Sequence, residues 1–162
     1  MKAQDAIRTS LTSTQHMLGM FLGDLSDADL LERPVPSANH IAWQLGHLIS
    51  TETTMFAPYL KGAAYPALPA GFAEQHNKEH AVKGTGFLTK AEYLGLFNKA
   101  RQVTIDGVGK LSDADLDAPI TGPMSQMVPT VGALLLLGGD HVMMHAGQFT
   151  VVRRKLGKPV LF

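Results

Sequence analysis

An all-α fold, a four-helix bundle, is what three observations predict. Apolar residues recur at helical spacing in four long stretches, no train of alternating apolar and polar residues marks strands, and a stretch rich in Gly, Pro and Ala separates the second helix from the third. The 162 residues, 45% of them apolar, fit a single domain spanning 1–162 with ample material for a core.

The first helix is expected from about Lys2 to Gly23, where Ile7, Leu11, Met17, Leu18, Phe21 and Leu22 follow a period near 3.6 and build a core face. The second begins near Ser37 or Asn39, either a good N-cap, and carries Ile41, Leu45, Leu48 and Met55 before Pro58 discourages continuation. Lys61 to Leu88 is then a long crossover with one short helix-like piece from Phe72 to His80, placed to cover one bundle end. Its length argues against a simple up-down-up-down order. The third helix starts at Thr89, where Thr89-Lys-Ala-Glu92 has the spacing of a capping box, and continues through Leu94, Phe97, Arg101 and Ile105 toward Gly107 and Gly109. The fourth runs from Thr130 to about Leu156, stopped by Gly157 and Pro159.

Leu25-Ser-Asp-Ala-Asp-Leu30 recurs letter for letter as Leu111-Ser-Asp-Ala-Asp-Leu116. Each copy follows one long helix and leads through a Pro-containing link to the next, which suggests pseudo-two-fold helix pairs joined by the crossover. Local physics offers a second account: Ser caps a short surface helix whose positive end favours the aspartates.

Fourteen basic residues balance fourteen acidic ones, and the longest basic run, Arg153-Arg154-Lys155, suits a helix C-terminus, so no nucleic-acid partner is expected. The chain has no cysteine, which excludes disulfides, thiolate ligands and a cysteine nucleophile; any thiol in the chemistry is imported. The N-terminal residues lack an apolar signal-like core and the run Val131 to Leu137 is too short to span a bilayer, so a cytoplasmic protein without a membrane partner is expected.

The histidines constrain function most. His141 and His145 lie four residues apart on one face of the fourth helix, and His47 lies within the second, so packing the two helices together can close a three-histidine site. The line Leu134, Gly138, His141, His145, Gln148 and Val152 continues a core-facing stripe, with Gly138 leaving room above the site. Inward imidazoles need partners: a divalent ion satisfies them, though a buried histidine often only donates a hydrogen bond. Three neutral ligands leave a coordination position open, the pattern of catalytic rather than structural zinc. Imidazole also suits nickel, copper and iron, with zinc and nickel the leading choices.

Gln44 and Thr51 flank His47 at helical spacing and Gln148 follows His145 by one turn, so each is a candidate for the outer shell or a substrate pocket, with a polar group satisfied in a bundle seam the alternative for Gln44 and Thr51. Glu52 either reaches the site as a base or faces solvent. His16 is not expected as a ligand, His40 suits a cap or the surface, Asp140 suits the surface or a supporting contact behind the ligands, and His76 and His80 read as exposed loop histidines.

Together these residues resemble the DinB/YfiT-like four-helix bundles, a superfamily of metal-dependent proteins related to bacterial thiol transferases. The resemblance spans nearly the whole chain. It rests on the LSDADL segment before a Pro-containing link, on Trp43-x-x-x-His47-Leu48-x-x-x-Glu52, and on His141-x-x-x-His145-x-Gly147-Gln148 followed by Arg153 to Pro159. It implies His47, His141 and His145 as the metal ligands, a homodimer, and a reaction in which a low-molecular-weight thiol attacks a small electrophile. Ala146 departs from the arginine that many members carry after the last histidine. A hydrolase using metal-activated water and a non-catalytic, stress-associated metal-binding bundle are the alternatives.

Overall fold

A computed structural model describes residues 1–78 and 85–161. Six helices appear among them: α1 (Ala3–Leu22), α2 (Ile41–Met55), α3 (Phe72–Gln75), α4 (Lys90–Val108), α5 (Asp113–Asp117) and α6 (Val131–Lys155). No strand forms among the described residues, where a lone bridge joins Pro119 to Thr130.

The helix ends follow local chemistry. Thr89 closes the expected capping box, accepting from the Glu92 N–H while the Glu92 carboxylate accepts from the Thr89 N–H at 2.8 Å. Thr130 caps α6 by accepting from the Ala133 N–H at 3.2 Å, and Gly157 beyond its end has φ +67°. At α2 the cap is neither Ser37 nor Asn39. His40 takes the position because its ring Nδ1 accepts from the Trp43 N–H at 3.1 Å, so the helix starts at Ile41. The short helix expected from Phe72 to His80 ends at Gln75, and His80 lies outside the described residues.

Packing gives the topology. Apolar side chains form two clusters, one toward each end of the bundle. The first holds Leu18 and Leu22 of α1, Ile41 and Leu45 of α2, Tyr93 and Phe97 of α4, and Val142 and Phe149 of α6. The second holds Ile7 and Leu11, Phe56 after α2, Ile105 and Val108, and Val131 and Leu135. Thus α1 and α6 run toward the first cluster while α2 and α4 run away from it. The order is up, down, down, up. Neighbouring packing joins α1 to α6 and to α4, and α2 to α4 and to α6, so each consecutive long pair, α1 with α2 and α4 with α6, lies across the diagonal. The crossover therefore travels the length of the bundle instead of covering one end: Leu60 and Tyr65 pack in the second cluster, Leu68 and Phe72 in the first.

A polar layer separates the clusters. Arg101, 1% exposed on α4, donates to Glu52 Oε2 on α2 from Nε at 3.0 Å and Nη2 at 2.8 Å. It also donates to the Leu11 carbonyl and Thr14 hydroxyl of α1, each at 3.3 Å, and to the Gly138 carbonyl of α6 at 3.1 Å. Glu52 Oε1 accepts from the Thr104 hydroxyl at 2.7 Å. All four long helices thereby meet at one guanidinium.

Both LSDADL copies form a short capped turn: Ser26 with Asp29, and Ser112 with Asp115, exchange side-chain and backbone hydrogen bonds. The copies are also used alike. Lys90 Nζ donates to the Leu25 carbonyl and the Lys90 N–H to Asp27, while Gln4 Nε2 donates to the Leu111 carbonyl and to Asp113. Leu25 and Asp27 occupy the same places in the repeat as Leu111 and Asp113; Lys90 is the first residue of α4 and Gln4 the second of α1. Local capping and pseudo-two-fold pairing both hold.

Candidate metal centre

Antiparallel α2 and α6 bring His47, His141 and His145 together at the end of the bundle that holds the first cluster. One nitrogen from each ring lies within 4.8 Å of the others, and among the described residues the group contains no Asp or Glu. All three rings are half-buried. They lie to one side of the buried stripe of α6, which runs through Leu135, Val142, Ala146 and Phe149, rather than continuing it. This offset leaves the site reachable from outside, and it puts Gln148 in an exposed position one turn beyond His145.

A hydrogen bond fixes the tautomer of His145. Gln44, 1% exposed, donates from Nε2 to the Asn39 carbonyl at 2.9 Å, which turns its Oε1 toward His145. His145 Nδ1 donates to that oxygen at 2.7 Å, so His145 Nε2 keeps a free lone pair. This nitrogen faces His141 Nε2 at 3.1 Å. Two facing lone pairs repel; a proton on His141 or a shared cation resolves the conflict. Both nitrogens can reach one ion at the usual zinc–imidazole distance of about 2.0–2.1 Å. His47 stacks on Trp43 with ring centroids 5.1 Å apart and planes within 6°.

Electrostatics keep the rings neutral. Burial holds His141 down to about 4, aided by the neighbouring His47 and Arg101 charges, and His145 down to about 3, aided by His141 and His47. His47 is also lowered, by burial and then by Lys78, with the His76 backbone opposing. Neutral imidazoles with free lone pairs are what a cation needs.

Several sequence expectations are corrected. Glu52 is neither at the site nor in solvent: it is 3% exposed and bound to Arg101 and Thr104 in the polar layer. Gly138 does not leave room above the histidines, because a Cβ there would lie 2.8 Å from Phe56 Cζ; the missing side chain admits Phe56. His76 is 1% exposed rather than an exposed loop histidine, held by the Phe72 carbonyl and the Tyr93 hydroxyl. His16 and Asp140 are exposed as expected, and Thr51 is half-buried one turn past His47. The contributions of the Asn39 carbonyl to Gln44 and of the Asn77 carbonyl to Trp43 carry no local sequence signal.

No curated protein matches the sequence. Among solved structures, YfiT from Bacillus subtilis, described as a probable metal-dependent hydrolase with an unusual four-helix bundle topology, superposes with a TM-score of 0.71 at 15% identity over 96% of this chain and 89% of its own. A conserved protein from Enterococcus faecalis does so with a TM-score of 0.71 at 17% identity over 98% and 99%. The sequence model of the DinB superfamily matches residues 10–149, a span that contains all three clustered histidines, and the chain belongs to that superfamily.

Proposed function

We propose that His47, His141 and His145 hold a divalent ion, zinc or nickel, and that the protein is an enzyme transferring a low-molecular-weight thiol to a small electrophile. The observation that carries this reading is the convergence of three neutral, half-buried imidazoles, with no carboxylate joining them among the described residues. A bound divalent ion supplies Lewis acidity, lowering the pKa of a thiol or water at its open position. Because the histidines contribute no negative charge, an anionic nucleophile is favoured beside them. The chain has no cysteine, so the sulfur comes from a cosubstrate. That sulfur forms the new bond to carbon, the leaving group departs with its electron pair, and the thiol proton passes to solvent. Gln44 keeps the His145 lone pair aimed at the site, and Trp43 holds the plane of His47.

Hydrolysis is a second reading, favoured by the description of the YfiT structure. Thiol dependence separates the two. Elemental analysis of protein purified without a histidine tag should find near-stoichiometric metal, lost in His47→Ala, His141→Ala and His145→Ala. Turnover that requires added thiol supports transfer; turnover in water alone supports hydrolysis; metal retained in the variants rejects the site.

A further inference from the structure

Residues of the crossover lie directly against the part of α2 that carries His47. His76 is 1% exposed, and both its ring nitrogens are committed: Nδ1 donates to the Phe72 carbonyl at 2.6 Å, leaving Nε2 to accept from the Tyr93 hydroxyl at 2.8 Å. It is therefore no fourth ligand. Its ring rests on the backbone of Gly46, where a Cβ would lie 2.0 Å from His76 Cδ2. The next residue, Asn77, accepts from Trp43 Nε1 at 3.2 Å, and Trp43 is the ring stacked on His47.

We propose that Phe72 to Lys78 acts as a clamp that positions His47 for the metal, with the His76 ring keyed into the slot at Gly46 and the Asn77 carbonyl holding Trp43 against the ligand ring. The proposal rests on the metal-centre reading above. His47 stands on a different helix from the other two ligands, so its ring angle has to be set by its own surroundings, and this segment supplies the ring packed on Gly46 and the acceptor for Trp43 within one turn of α2. Groups that orient a ligand in this way tune metal affinity about 10–100-fold. Coupling is reciprocal: a clamp that favours metal is itself ordered by metal.

The test uses the full chain with Co²⁺ as a visible-absorbing probe and Zn²⁺ for amide exchange. Tyr93→Phe removes the donor to His76 while keeping the ring, and Gly46→Ala drives the His76 ring from its slot. Both variants should bind Co²⁺ about 10–100-fold more weakly, with an altered absorption spectrum and unchanged helical circular dichroism. Zn²⁺ should slow amide exchange in residues 72–78 of the wild type. If Gly46→Ala does not fold, Tyr93→Phe alone decides. Wild-type Co²⁺ affinity in the folded variants, with exchange in the segment indifferent to Zn²⁺, overturns the clamp and leaves the metal centre standing. Wild-type protein that binds no Co²⁺ overturns both.

Discussion

At Gln44 one side-chain amide decides which nitrogen of His145 carries a proton. Its own orientation is set by the Asn39 carbonyl, so the chain of donors runs from His145 through Gln44 to the start of α2. Gln44→Leu should leave the His145 Nδ1–H without an acceptor and lower Zn²⁺ affinity about 10–100-fold. Gln44→Glu, which keeps an oxygen there, should retain more of it; competition against a chromophoric chelator reads both. The same contrast separates what was legible in the sequence from what was not. His141 and His145 could be paired from spacing alone, because one helix fixes both. The place of Glu52 could not be read, since its partner Arg101 stands 49 residues away. Gln148 was assigned by helical spacing, yet the buried face of α6 passes to one side of it.

For the elements, local chemistry was the more readable part. Thr89, Thr130 and Gly157 act where the sequence places them, because capping involves neighbours within one turn. The join between helices was hidden. Arg101 and Glu52 sit between two apolar clusters and bind α1, α2, α4 and α6 at one level. Removing one member of such a buried pair leaves an uncompensated charge, at a cost of about 3–5 kcal/mol. Glu52→Gln should therefore lower the thermal midpoint by about 6–20 °C, at about 2–4 °C per kcal/mol for a chain of this size. Loss of stability without loss of metal in the protein that remains folded would agree with the position of Glu52 outside the histidine cluster.

Across the whole molecule, buried neutral histidines set a pH dependence. His40 is held down to about 4, first by burial and then by the charges of Arg33 and His76; His141 falls to about 4 and His145 to about 3. Their ordinary value is 6.5, so below that pH the unfolded chain takes up protons that the folded chain refuses. The stabilisation is complete above about 6.5 and declines as pH falls toward about 4, where the folded rings begin to protonate. Thermal melts of metal-free protein at pH 8, 6 and 5 should show falling midpoints, with most of the loss below 6.5. A flat profile would contradict the buried, neutral assignment.

The diagonal placement of consecutive helices has a consequence for assembly. Neither α1 with α2 nor α4 with α6 makes a hairpin that buries its own apolar face; each helix finds its neighbours in the other half of the chain. Folding must therefore wait for distant segments to meet, which raises contact order and slows the search. A chain cut within the crossover should yield two fragments that stay unstructured apart and recover helicity only when mixed. His47 would arrive on one fragment and His141 with His145 on the other, so metal capture by the mixture would report that the two halves had docked in register.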